Sequence, residues 1–406
     1  MWIFYVNRGQ GICSMGIQDK DNPIMEFLPA NRAYQLAGTQ GFRTFLKFSD
    51  NSKVKFYEPF QDHYRDHDVQ RSQKMFISPS HLRLVETNET LGLTFTVEYH
   101  MVPEDKYAGL IRTLQIENTG QQELSFDGLD GLPLIIPHGL NNFALKHIRR
   151  LTEAFVEVTN YEHSAPLFKG KVEPADRPEV VRIVKGNFYI GLEAGTAGNA
   201  LLKPIVDPTR IFGPHTDYTF PKSFLETPFD EITEDQVFEN RLPSAMSPFK
   251  KTLAAGETYT LTSIIGHIDS KESLNELLPK ISSPEYLQGK KRLSVDMIDE
   301  LTDKNLIVSG EPLLDQYVRQ NFLDNVLRGG FPYTLKGKQH DSVLHLYSRR
   351  HGDLERDYND FRITPSNYSQ GNGAYRDVNQ NRRSDLFFNP DVKSNNLEHF
   401  FNLIQL

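Results

Sequence analysis

The sequence predicts a multi-domain β + α protein: an antiparallel β-sandwich over residues 1–269, a helical linker over 270–311, and a helical domain over 312–406. Three observations carry this reading. Strand-period alternation dominates the first part with no helical pattern between the strands. Helix caps begin at Ser270. From Pro312 an apolar repeat every four residues takes over.

The strands are clearest in LGLTFTVEYHM, where Leu91, Leu93, Phe95, Val97, Tyr99 and Met101 alternate with Gly92, Thr94, Thr96, Glu98 and His100. A period of two puts the first set on a core and the second toward water. FRTFLKF (42–48), KVKFYE (53–58), EAFVEV (153–158), NFYIGLE (187–193) and TYTLTSIIGHI (258–268) read the same way, and turn signals such as ENTGQQ and EAGTAGNA separate strands. Residues 202–250 hold seven prolines and little periodicity, so they are expected to be long loops over the sheets.

The linker opens on SKESLNELLPKI, with Ser270 at the N-cap, and continues through EYLQGKKRLSVDMIDEL. The best helix is EPLLDQYVRQNFLDNVLRGG. Pro312 suits its first position, Leu314, Val318, Phe322 and Val326 form its stripe, and Gly329 suits the position after its end. That stripe predicts a packed layer of several helices. LEHFFNLIQL closes the sequence with Leu397, Phe400, Phe401 and Ile404 on one helical stripe, which reads as a helix awaiting further partners and leaves those side chains partly exposed.

Composition sets the outer limits. At 406 residues the chain exceeds what one core usually organises, so two domains are the default, and 38% apolar content allows a sizeable core. Its net charge of −8 is spread along the sequence, which argues against nucleic acid or an anionic membrane as partner. Cys13 is the single cysteine, so no intrachain disulfide can form and a reducing compartment is expected. MWIFYVNRGQG lacks the features of a secretory leader, and no apolar run is long enough for a membrane helix. A cytoplasmic protein is the expectation.

Several motifs invite functional readings. HYRDHD (63–68) spaces His63 and His67 four apart, yet it falls between strands without a further ligand pattern, so a solvated loop is expected and no metal. GQGICSMG lacks both the dinucleotide spacing and the βαβ context, and reads as hairpin turns. LYSRRHGDLERDYNDF (346–361) alone would read as a salt-bridged surface. Its neighbour SQGNGAYRDVNQNRRSDLFF (369–388) changes that. Asn372, Asn379, Gln380 and Asn381 offer donors and acceptors on short arms, Arg376 a fork of donors and Asp377 an acceptor pair. A sugar ring requires that mixture, because each hydroxyl both gives and accepts. Gly371 and Gly373 would let the backbone approach a ligand closely.

YSRRHGDLERDYNDF and SQGNGAYRDVNQNRRSDLFF resemble the barrel entrance of inverting glycoside phosphorylases, the cellobiose phosphorylase group of glycoside hydrolase family 94 and its relatives. The RDVNQNRR form and NFLDNVLRGGFP are most similar to the β-1,3-glucan phosphorylases of family 161. The resemblance implies an N-terminal super-sandwich, a helical linker and the first part of an (α/α)6 barrel. It implies that Arg376, Asp377 and Asn381, with Gln380 beside them, bind the glucosyl unit of the −1 subsite. Many family 94 members carry Asp where this chain has Asn381, which bears on sugar preference. The general acid, an Asp, and the phosphate pocket are then expected downstream of Leu406, so no catalytic residue is assigned within the chain. The implied co-substrates are an oligosaccharide and inorganic phosphate with no other cofactor, and the implied partner is the C-terminal half or a second copy. Two alternatives stand beside it: a non-catalytic carbohydrate-binding protein, and part of an inverting hydrolase of the same architecture.

Overall fold

The computed structural model describes all residues except 1, 8, 9, 20, 27, 29, 51, 52, 62–67, 141–143, 145, 146, 149, 150, 176, 347–378, 381, 403, 405 and 406. The chain divides into two compact units: Trp2–Gly16 with Asp21–Ser294, and Val295–Leu406 with Ile17–Lys20. Mixed β and α content with antiparallel sheets is what the sequence predicts at this level. No helix among the described residues is long and apolar enough to cross a membrane.

The larger unit is built on three antiparallel sheets among its described residues, with strands numbered in chain order. The first contains β1 (Trp2–Asn7), β2 (Gln10–Gly16) and β3 (Pro23–Met25), so most of GQGICSMG is a paired strand where turns were expected. The helix α1 (Ala30–Gln40) follows β3, where the sequence predicts no helix between strands. A four-stranded sheet runs in the order β15 (Ala245–Leu253), β10 (Leu124–Leu132), β4 (Arg43–Asp50), β5 (Lys53–Tyr57). The nine-stranded sheet runs β11 (Val156–Thr159), β12 (Leu167–Gly170), β13 (Gly186–Gly195), β16 (Thr258–Ile268), β9 (Ala108–Asn118), β8 (Leu93–Met101), β7 (His81–Asn88), β6 (Arg71–Ile77). β14 (Gly198–Leu202) pairs with β13 off that path.

The two larger sheets share a buried layer. Leu93, Phe95, Val97 and Tyr99 of β8 point into it, as the alternation predicts. Tyr57 of β5 meets Phe95 at 5.8 Å between ring centroids, and the Tyr189 hydroxyl of β13 lies 3.1 Å from Ser247 Oγ of β15. In the same layer Arg112 of β9 donates to both oxygens of Asp130 on β10, at 2.7 and 2.5 Å. Thr44 Oγ1 donates to Asp130 Oδ1 at 2.6 Å, and Arg112 Nε donates to the Tyr99 hydroxyl at 3.2 Å. Next to Asp130, Gly131 has φ +149, and a Cβ there would fall 2.1 Å from the Ala245 carbonyl oxygen of the paired strand. The close β10–β15 approach therefore requires glycine.

The segment 202–250 departs from the expected loops. It contains the short helices α2 (Thr209–Phe212) and α3 (Lys222–Glu226), and β15 begins within it. Ile211, Phe212, Phe224 and Ile232 pack against Phe45, Leu129 and Met246 on the far face of the four-stranded sheet. The prolines break this cover into short pieces, which hides the periodicity while the apolar residues still bury. Another difference falls at 153–158, where a 3-10 turn (Thr152–Phe155) precedes β11 instead of one continuous strand.

On the other side, α4 (Lys271–Ile281) lays Leu274, Leu278 and Ile281 on Ile111, Ile190, Leu192 and Ile264 of the nine-stranded sheet. Ser270 is its N-cap, accepting from the Ser273 amide at 3.1 Å. Ser270→Ala should lower stability by ~1 kcal/mol, the usual worth of such a cap, and a urea titration of the chain measures it. An unchanged midpoint would show that the first turn of α4 holds without its cap. The helix α5 (Pro284–Thr302) follows.

The smaller unit begins in the last turns of α5 and continues through α6 (Pro312–Gly329). Pro312 stands in its first turn, as predicted, but the left-handed glycine that ends it is Gly330, φ +85, one residue beyond the expected position. Phe322 and Val326 are buried with Phe388, flanked by Leu301 and Phe331, while Leu313, Leu314 and Tyr317 are exposed. Only the second half of the predicted stripe is therefore packed among the described residues. A hairpin of β17 (Phe331–Leu335) and β18 (Ser342–Leu346) follows, where helices alone were expected. α7 (Asp385–Phe388) and α8 (Asn395–Asn402) follow, and Leu397, Phe401 and Ile404 are exposed.

Candidate functional site

Of the predicted sugar-binding residues, Arg376, Asp377 and Asn381 lie outside the described residues, as do His63, His67 and residues 347–361. Gln380 is described and is exposed. The C-terminal end of the same motif, from Arg382 to Phe388, is described, and there the chain builds a buried polar knot.

Its centre is Asp385, the first residue of α7, wholly buried. Oδ2 lies 2.8 Å from Nε2 of His345 on β18, which is equally buried. The same oxygen accepts from Asn396 Nδ2 of α8 at 2.7 Å, and Arg382 Nε stands 3.7 Å from it. Asn396 also donates to the Arg382 carbonyl oxygen at 3.0 Å. One carboxylate thus ties together a hairpin strand, the turn at 382–385 and the last helix. Next to it, Asn389 Nδ2 donates to the Pro332 carbonyl oxygen at 2.9 Å and to Thr334 Oγ1 at 3.1 Å, which fixes the far end of α7 to β17.

Chemically, a carboxylate facing an imidazole nitrogen selects the tautomer that carries a proton on Nε2. Arg382 places a positive charge beside the same carboxylate. Such a pairing can orient a catalytic base, but His345 and Asp385 are sealed from solvent. The geometry serves as a clasp that holds the chain at the base of the 369–388 motif.

Alternation gives part of this clasp in the sequence. Val343 and His345 share the buried face of β18, so SVLHL points a histidine inward. The partner, forty positions on, has no local signal and is brought there by the hairpin. Asn396→Ala removes two hydrogen bonds from the clasp and should cost ~1–3 kcal/mol locally. Faster amide hydrogen exchange over 382–389 would report it, and unchanged protection would show that Asn396 holds nothing.

No protein-family model matches this chain, and no curated protein matches it. Among solved structures it is similar to one named "Putative kojibiose phosphorylase from human microbiome", with 7% identity and a TM-score of 0.28. The match covers 82% of this chain and 32% of that one, so the chain spans under two thirds of its length. No family is assigned on that basis.

Proposed function

We propose that this chain supplies the β-rich part and part of the −1 sugar subsite of an inverting carbohydrate phosphorylase that cleaves β-glucosidic bonds with inorganic phosphate. The observation that supports this reading is the clasp: Asp385, His345 and Asn396 anchor the end of the amide-rich motif in a buried knot. A motif rooted in this way can present Arg376, Asp377, Gln380 and Asn381 from a fixed base, which positioning of a sugar requires.

In the reaction, a phosphate oxygen attacks the anomeric carbon as the glycosidic C–O bond breaks on the opposite face. The departing oxygen takes a proton from a general acid of the downstream part, which also holds the phosphate pocket. Phosphate replaces the water and base of an inverting hydrolase, so one carboxylic acid suffices. Arg376 donates to the bound glucosyl unit and Asp377 accepts from it. In the N-terminal part the sheets form the super-sandwich, and the smaller unit begins the (α/α)6 barrel.

The test supplies the downstream part by co-expression and assays release of glucose 1-phosphate from laminari- and cello-oligosaccharides. Arg376→Ala and Asp377→Ala should each remove a charge-assisted bond of ~1.5–3 kcal/mol, roughly a 10- to 150-fold loss in kcat/KM. Bonds that tighten as the ring flattens would lower kcat more than they raise KM. Asn381→Asp should be tolerated, and His63→Ala should change almost nothing. Full activity in both the Arg376 and Asp377 variants would show that the motif is structural. Sugar release without phosphate would instead favour the hydrolase.

A further inference from the structure

The outer face of the nine-stranded sheet holds a second polar site, wholly within the larger unit. Where the apolar contact with α4 ends, that face turns hydrophilic in register. Glu98 of β8 pairs with Thr113 of β9, which pairs with Thr262 of β16. The next outward position on β8 is His100. The first turns of α5 stand over this row and leave a cavity of about 320 Å3, within the range of small-ligand sites.

Three features define what could occupy it. The Thr113 and Thr262 hydroxyls lie 3.3 Å apart, and each can donate and accept. Lys291 of α5 pairs with Glu98 at 2.7 Å, so the rim charges cancel. His100 is 4% exposed, and neither ring nitrogen has a hydrogen-bond partner among the described protein groups. A buried polar side chain left so is costly, and a valine would fill the position without that cost. Burial, His81 and Lys291 together hold the imidazole neutral, its pKa lowered to about 3. A neutral ring offers one donor and one acceptor. An anion would meet Glu98 here and a cation Lys291, whereas adjacent hydroxyls match every group present.

We propose that this cavity binds an uncharged polyhydroxylated ligand, a pyranose or similar polyol, through His100, Thr113 and Thr262. The site shares no residue with the 369–388 motif, and its test needs no phosphorolysis.

The full chain, labelled with 15N-histidine, is titrated separately with D-glucose, cellobiose, laminaribiose and inorganic phosphate. The His100 ring signals, assigned by loss in His100→Phe, should shift saturably with at least one sugar and stay unmoved by phosphate. Thr113→Val keeps the side-chain shape but removes a hydroxyl, and should weaken that binding roughly five- to tenfold. Its thermal midpoint should stay near that of the parent chain, which separates lost binding from lost fold. No saturable shift with any of the three sugars, a response to phosphate alone, or undiminished affinity in Thr113→Val overturns the proposal.

Discussion

Acidification from neutral pH toward 4 should unfold the larger unit cooperatively, because two buried histidines and one partly buried neighbour resist protonation. Burial, with His81 and Lys291 beside it, lowers the pKa of His100 to about 3. Burial and Lys185 lower that of His138 to about 4. Burial, His138 and Lys185 lower that of His267 to about 3, its ring centroid lying 4.4 Å from that of His138. In the unfolded chain each titrates near its ordinary value of 6.5. Their folded values are depressed, so the stability they contribute is complete above about 6.5 and is lost as the pH falls toward the folded values. Each residue then costs ~1.4 kcal/mol per pH unit, and the three together ~4 kcal/mol per pH unit. Against a net stability of ~5–15 kcal/mol, the midpoint should fall near pH 4–5. Circular dichroism across that range measures it, and His100→Phe should flatten the profile by about one proton. Retention of native sheet signal at pH 4 with an unchanged slope in the variant would mean that these imidazoles are open to water.

Asp130→Ala should be the most damaging single substitution between the two large sheets. It leaves the Arg112 guanidinium buried with its carboxylate gone, and removes the acceptor of Thr44 as well. Uncompensated charges of this kind cost ~3–5 kcal/mol. The guanidinium also lies over Phe42, 5.1 Å from the ring centroid, so it cannot turn to solvent without opening the layer. Urea unfolding should show a lower midpoint at an unchanged slope. Replacing both partners, Arg112→Met with Asp130→Leu, should recover most of the loss, because two apolar groups leave no orphaned charge. A small effect of Asp130→Ala alone would mean that water reaches the pair.

Much of this was legible in the sequence where one side chain decides its own place. The alternation in LGLTFTVEYHM gives β8 with its buried face, while TYTLTSIIGHI gives β16 as a strand that is buried on both faces from Leu261 on. Arg112 could have been found as well, since it shares parity with Leu110, Leu114 and Ile116 on the inward face of β9. His100 misleads for the opposite reason: it lies on the outward parity, yet α5 covers that face. The α2–α3 cover escapes a reading by period because prolines cut it into pieces shorter than one amphipathic repeat. The Asp385–His345 clasp depends on a hairpin between them, and residues 376, 377 and 381 lie outside the described residues.

The strand order has a consequence for biosynthesis. Residue 117 on β9 finds its partner at 258 on β16, and β10 pairs with β4 on one side and β15 on the other. A ribosome that has released β4 to β10 has therefore released strands whose neighbours do not yet exist. Neither sheet can complete until residues 245–268 emerge, at ~5–20 residues per second. For many seconds the nascent chain must carry the unpaired edges of β9 and β10, and its yield should depend on the chaperones that shield them.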